Sequence, residues 1–242
     1  MIVKTEAICL KNTRYGETSV ICKMFTLEHG LSSFLIQGIS RKSSSIKPSH
    51  IAPGNILELV IYQKPFSTLQ RIKEIKVVNP IISIHTDMVK NSILQFMIEI
   101  IAKTNESDHK DVMVFDYIKL AILELEHTIE NIAFYPLYFL CRYLQFSGWF
   151  PNLEVWDTGY VFNVREGKFT PPNLLPNSDE LSENSSHHLY AFLAEIEKKT
   201  PLIELIIQHK KVLFNAMLLY YEIHLLKGNR IKSPAILAEV LA

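Results

Sequence analysis

Residues 37 to 48 read QGISRKSSSIKP, which sets Arg41, Lys42 and Lys47 among serines between Gly38 and Pro48. Small neighbours let such cations follow a phosphate backbone closely, and serine hydroxyls and loop amides add donors for the same oxygens. A solvated loop without a partner has the same composition, so the surroundings decide between the two readings. Cations and aromatics interleave on either side: Arg14 with Tyr15, Lys23 with Phe25, Tyr62 and Lys64 with Phe66, then Arg71, Lys73 and Lys76. A single nucleic-acid strand needs both kinds of group, because cations track its phosphates and aromatic faces stack on its bases at about 1–3 kcal/mol each. The candidate strand-binding residues are therefore Arg14, Tyr15, Lys23, Arg41, Lys42, Lys47, Lys64, Phe66, Arg71 and Lys73. Tyr15 and Phe66 fall in expected turns and suit stacking, whereas Phe25 and Phe34 read as core. Stacking tolerates any base, so little base preference is expected.

Bond-making chemistry leaves no such trace. The chain has no Gly-x-x-x-x-Gly-Lys-Ser/Thr phosphate loop, no Gly-x-Ser-x-Gly elbow, no His-Glu-x-x-His and no Gly-x-Gly-x-x-Gly. Asp108 with Asp111 and Glu124 with Glu126 lie in polar or surface contexts. Cys9, Cys22 and Cys141 are far apart and form no Cys-x-x-Cys pair, which speaks against a zinc ribbon or a disulfide framework and suits a reducing compartment. His187 and His188 are adjacent, point apart on a helix, and read as its first turn rather than as ligands. No catalytic residue, metal or cofactor is expected.

The elements that must position the cations come early. Strands are expected over Thr5–Leu10, Val20–Thr26, Leu31–Gln37, Ile56–Tyr62 and Leu69–Val78, with turns at residues 13–16, at His29-Gly30, at Pro53-Gly54-Asn55 and near Pro65. Five short strands at this spacing suggest a five-stranded barrel of the OB type, an architecture whose open face and loops bind oligonucleotides. After Pro80 the period changes to that of helices, over 86–103, 111–127 and 134–146, each with an apolar stripe for a core. Residues 149–185, rich in Pro, Gly and Asn, interrupt the helices with a small hairpin of Tyr160–Val164 and Lys168–Thr170. Helices follow over 186–199 and 210–226, and Ser233-Pro234 opens a last one. The fold class is α+β: an N-terminal barrel domain (1–79) and a helical domain (80–242) carrying the hairpin insertion.

Charge divides along the same line. The whole chain of 242 residues is neutral, yet residues 1–79 hold 11 Lys+Arg against 5 Asp+Glu and residues 80–242 hold 14 against 20. A basic first third, hidden by an acidic remainder, suits a polyanion-binding module. The opening MIVKTEAICL carries Lys4 and Glu6 and has no secretory pattern, and no apolar run is long enough for a membrane span, so a cytoplasmic protein is expected. Lys210, Lys211, Lys227, Arg230 and Lys232 make the C-terminal end locally basic. They read as a second strand-binding surface, as a rim around an apolar groove, or as cations favoured at helix C-termini.

The run TEAICLKNTRYGETSVICKMFTLEHG, then QGISRKSSS and the Pro-Gly and Leu-Glu of residues 53–59, resembles the N-terminal domain of the RecO family of bacterial recombination mediators. Arg14 to Ser19 and the Phe-Thr…Gly of 25–30 are its most specific elements, and YYEIHLLKGNRIKSPAILAEVL, from Tyr220 to Leu241, looks like the family's closing helices. The resemblance covers both ends of the chain. It implies a DNA repair and recombination mediator that binds single- and double-stranded DNA, anneals complementary strands with its partner RecR, and helps load the recombinase onto strands coated by single-strand binding protein. It implies a bacterial, nucleoid-associated location. It also favours a groove for the acidic C-terminal tail of single-strand binding protein near Lys210, Lys211, Lys227, Arg230 and Lys232. Many relatives hold a four-cysteine zinc site between residues 149 and 185, where this chain has no cysteine, so packing by Trp149 and Trp156 must hold the hairpin instead.

Overall fold

The computed structural model describes residues 1–39, 46–64, 67–105, 109–174, 178–197 and 208–241. Five strands, β1 (Ile2–Tyr15), β2 (Ser19–Thr26), β3 (Gly30–Ile36), β4 (Ile56–Tyr62) and β5 (Leu69–Asn79), close into a barrel in the order β1-β2-β3-β5-β4. Of these five pairings among the described residues, β3–β5 is parallel and the other four are antiparallel. That is the OB arrangement, and the chain is an α+β protein.

Strand alternation builds it. Ala7, Cys9, Cys22, Met24, Phe34, Ile36, Leu57, Leu59 and Ile61 point inward and are buried, with Val3, Val20, Ile72, Ile75 and Val77 packed against them. Fully burying a side chain such as Phe34 contributes about 1.5–3 kcal/mol. The long β1 serves two neighbours: Ile2–Ile8 pair with β4 and Ala7–Tyr15 with β2, and the register shifts between Cys9 and Lys11. Such a bulge bends a strand and lets one segment close a barrel. Sequence periodicity suggests a shorter first strand and a turn at 13–16, but β1 continues to Tyr15 and the turn begins at Gly16. Residues 11–15 lack apolar alternation because their side chains are exposed or only half-buried, so their strand character comes from pairing rather than from burial.

The helices are α1 (Ile82–Thr86), α2 (Met88–Thr104), α3 (Val112–His127), α4 (Tyr135–Ser147), α5 (Glu183–Glu197), α6 (Lys210–His224) and α7 (Pro234–Val240), with the hairpin β6 (Val161–Asn163) and β7 (Lys168–Thr170) between α4 and α5. Asp87 caps α2 by accepting from the Lys90 amide at 3.0 Å, and Asp111 does the same for the Val114 amide ahead of α3. His187 and His188 sit past the first turn of α5, which begins at Glu183. Two compact units result: Met1–His127 with Ile236–Val240, and Thr128–Ala235. The boundary in compactness falls later than the change from strands to helices at Pro80.

Within the first unit, outward barrel residues dock on the helices. Phe25 packs on Phe115 with ring centroids 5.8 Å apart, and Glu6 and Glu28 pair with Lys119 and Lys110 at 2.5 and 2.8 Å. Gly54, at φ +85°, passes so close to α2 that a Cβ there would sit 2.6 Å from Leu94. Glu126, expected on the surface, instead accepts from the backbone amides of Ile82, Ser83 and Ile84 at 3.0, 2.8 and 2.9 Å. The buried Lys90 completes this clamp by donating to the Glu126 carbonyl and to Ser83 Oγ, both at 2.6 Å. In the second unit Trp156 stacks on Tyr190 at 4.6 Å and meets Phe169 edge-on at 5.2 Å, while the Phe162 amide donates to Ser186 Oγ at 2.8 Å. Aromatic packing thus seats the hairpin. Cys9, Cys22 and Cys141 are free and buried, and burial pushes all three thiols up, Cys22 to about 12.

Candidate nucleic-acid interface

The barrel has two unlike sides. Around β1, β4 and β5 lie Glu6, Glu28, Glu58 and Glu74, and each carboxylate has a cation: Lys119, Lys110, Lys76 and Lys73, at 2.5, 2.8, 3.7 and 3.2 Å. The other side carries Lys11 on β1, Lys23 on β2 and Arg71 on β5, all exposed, and none of the three is in an ion pair among the described residues. Lys64, in the loop from β4 to β5, is likewise exposed and unpaired.

Register aligns these cations. Lys11 lies directly opposite Lys23, Lys23 opposite Ser33, and Ser33 opposite Leu69. One step along, Thr13 faces Ile21, Ile21 faces Leu35, Leu35 faces Arg71 and Arg71 faces Tyr62. Two rows of outward side chains therefore cross the barrel, with cations and a tyrosine among short polar and apolar groups. Like charges directly opposite on an antiparallel pair are destabilising. An anion laid across Lys11 and Lys23 would relieve that repulsion.

The sequence candidates distribute as follows. Lys23 and Arg71 belong to these rows. Tyr15 is 58% exposed, lies opposite Ser19 and shares the face of Lys11 and Thr13, so its ring is open to a base. Arg14, one residue earlier, is exposed on the other face of the ribbon, opposite Val20. Lys73 occupies the β5 bulge between the pairs of Ile72 and Glu74 and is bound to Glu74. Lys47 precedes the 3-10 turn Pro48–Ile51, its amide 3.3 Å from His50 Nδ1. Arg41, Lys42 and Phe66 lie outside the described residues. Lys11 escaped the sequence reading because a turn placed at 13–16 hides its partner. With the turn at Gly16, the pairing of Tyr15 with Ser19 puts Lys11 opposite Lys23 by simple counting.

Gln70 shapes the loop that carries Lys64. Its side-chain oxygen accepts from the Lys64 amide at 2.9 Å, and its nitrogen donates to the Lys64 and Ser67 carbonyls at 3.0 and 2.8 Å. Ser67 Oγ donates to the Leu69 carbonyl at 2.8 Å. One strand residue thereby ties the backbone of Lys64 and of Ser67 to β5.

In the second unit the five C-terminal cations fall into two groups. Lys210 and Lys211 open α6, and Lys210 Nζ lies 5.3 Å from the centre of the Phe134 ring. Lys227, Arg230 and Lys232 follow its end, with Lys227 at φ +49° and Gly228 donating to the Glu222 carbonyl at 2.7 Å. A helix of 15 residues, about 22 Å long, separates the groups. Val212 and Leu219, a heptad apart, are exposed along it. Cations favoured by a helix C-terminus account for Lys227 and not for Lys210 and Lys211, which stand at the N-terminal end. Among the described residues no three His, Cys, Asp or Glu come together as a metal-sized group, and no helix is long and apolar enough to cross a membrane.

The fold thus defines an OB-barrel protein with a charge-segregated barrel and appended helices. Comparison with known proteins makes the class specific. The family model described as "Recombination protein O N terminal" matches residues 1–81. "DNA repair protein RecO" of Bacteroides fragilis is 31% identical over 170 residues, 70% of each chain. Proteins of the same description from Flavobacterium johnsoniae and Chlorobium phaeobacteroides are 29% and 28% identical, over 100% of both chains in each pair. The chain belongs to the RecO family.

Proposed function

We propose that this chain is a DNA repair and homologous recombination mediator that works by binding and not by catalysis. Residues 1–79 bind single- and double-stranded DNA through the Lys11, Lys23, Lys64 and Arg71 side, with Tyr15 stacking on bases and Arg41 and Lys42 extending the cationic path. Two complementary strands repel one another, and a surface that neutralises their phosphates raises the local concentration of both and speeds annealing. Acting with RecR, the protein assists loading of the recombinase onto strands coated by single-strand binding protein. The acidic tail of that protein docks along α6, its aliphatic and aromatic groups on Val212 and Leu219 and its carboxylates on the flanking cations. The setting is the bacterial cytoplasm at the nucleoid, and neither nucleotide nor metal is required.

The observation that carries this reading is the Lys11–Lys23 opposition, with neither lysine in an ion pair among the described residues, since opposed like charges cost stability that a polyanion would offset. The test is annealing of complementary fluorescent oligonucleotides by the purified protein, without nucleotide or metal, across a salt series. Acceleration that fades with salt and is lost in the K11E/K23E double variant is expected. A folded protein that does not accelerate annealing refutes the DNA reading and leaves a protein-only adaptor.

A further inference from the structure

The strand-binding side holds one feature that neither phosphate tracking nor open stacking uses. The parallel β3–β5 pair has only three register positions, Ser33 with Leu69, Phe34 with Gln70 and Leu35 with Arg71. Before Ser33 the start of β3 separates from the chain entering β5. The barrel wall opens there into a pocket of about 160 Å³, walled by Ser32 and Ser33 on one side and Ser67, Thr68 and Gln70 on the other. Leu31, Phe34, Ile61, His29, Gln63 and Lys23 also line it.

We propose that this pocket is a subsite for a single unstacked pyrimidine base of the bound strand. Size is the first argument. A cavity of ~150 Å³ takes one benzene ring, so this space suits a monocyclic base and is tight for a bicyclic purine. Lining chemistry is the second: hydroxyls of Ser32, Ser33 and Thr68 and the amide of Gln63 can donate and accept, as the edge of thymine or cytosine requires, while Leu31, Phe34 and Ile61 offer apolar surface to the ring. Position is the third. Ser33 lies directly opposite Lys23, which lies opposite Lys11, so a strand whose phosphates cross the two lysines brings its next base to the opening. Gln70 holds Ser67, on the far wall, and Lys64 by side-chain bonds to their backbone before any strand arrives, which lowers the cost of ordering that wall on binding. Open stacking elsewhere stays indifferent to sequence, and this one position adds a pyrimidine preference.

The inference rests on the DNA reading, and the experiment separates the two. Affinity is measured at fixed salt for a short oligothymidylate and for an abasic strand of equal length and charge, with the wild-type protein and with Ser33→Phe, which fills the pocket. Outward strand positions accept aromatics, so this variant should fold; Thr68→Phe fills the same space from the exposed opposite wall and serves if it does not. The expected result is a loss of about tenfold in oligothymidylate affinity, the scale of one base contact, with abasic binding unchanged. An equal loss for both strands, or none for either, overturns the subsite and leaves DNA binding standing. If the wild-type protein binds neither strand, the DNA reading fails and the subsite with it.

Discussion

Replacing Lys11 by Gln should make the protein more stable and a poorer DNA binder at once. The stability gain follows from register: Lys11 and Lys23 are directly opposite and both exposed, and neither is in an ion pair among the described residues. A cross-strand pair is worth about 0.2–1 kcal/mol in either direction, and screening at physiological salt puts the relief at the lower end. Gln keeps most of the length and the polarity of this exposed side chain, so packing changes little. The binding loss follows from counterion release, in which each neutralised phosphate contributes about −0.7 to the log–log salt slope for a single strand. Removing one contact should therefore flatten the slope by about 0.7 and, at 0.1 M salt, weaken binding about fivefold, or about 1 kcal/mol. Urea unfolding gives the first quantity and fluorescence anisotropy of a labelled oligonucleotide over a salt series gives the second. A variant that loses stability, or one whose affinity and slope match the wild type, refutes the argument that this opposition exists for a polyanion.

Two further substitutions test the frame that holds the barrel to its helices. Glu126→Gln should cost about 2–4 kcal/mol at neutral pH, less than three charge-assisted bonds in sum because the freed amides regain water. Burial alone would raise the Glu126 carboxyl, but the amides of Ile84, Ser83 and Ile82 together with Lys90 outweigh it and hold the group below the usual carboxylate range. A lowered folded-state value means stability present above the unfolded value and lost as pH falls through the folded one. The urea midpoints of variant and wild type should converge in acid, and a gap that persists to strongly acidic pH sinks the assignment. Gly54→Ala should cost more than Gly16→Ala. Both glycines have positive φ, +85° and +69°, but an added Cβ meets Leu94 and Ile81 at 2.6 and 2.9 Å in the first case and open space in the second. Equal losses in thermal denaturation midpoint contradict the close approach of α2 to that turn.

What the sequence conveyed and what it withheld follow from how far each signal reaches. Apolar alternation and glycine turns are local, so Ile56–Tyr62 is legible residue for residue, and the hairpin strand Lys168–Thr170 with it. Cap signals are local too, and Asp87 and Asp111 are found where side chains of their type belong. Pairing is not local. The exposed end of β1 has no burial period, which hid the true turn and with it the Lys11–Lys23 opposition. Glu126 carries no signature, because its partners are backbone amides 42–44 residues away. Lys73 illustrates the converse: a cation that composition counts toward a binding face is spent on Glu74 in a bulge.

Charge placement explains how a neutral chain can serve a polyanion. Attraction over about one Debye length depends on the charges of a face and not on the total. The barrel directs four of its five carboxylates to the β1–β4–β5 side, where Lys119 and Lys110 from the helical segments neutralise two and Lys76 and Lys73 the others. Exposed pairs of this kind contribute little stability, about 0–1 kcal/mol each. Their larger effect is to weaken the negative potential that these carboxylates would otherwise extend toward the Lys11–Lys23 side. The same pairs tie α3 and the segment before it to the barrel, so the packing that completes the first unit also occupies two carboxylates that could otherwise compete for cations. Thr13→Glu, in the row between Lys11, Lys23 and Arg71, should weaken strand binding more than Lys4→Glu, on the acidic side, although the first lowers the net charge by one and the second by two.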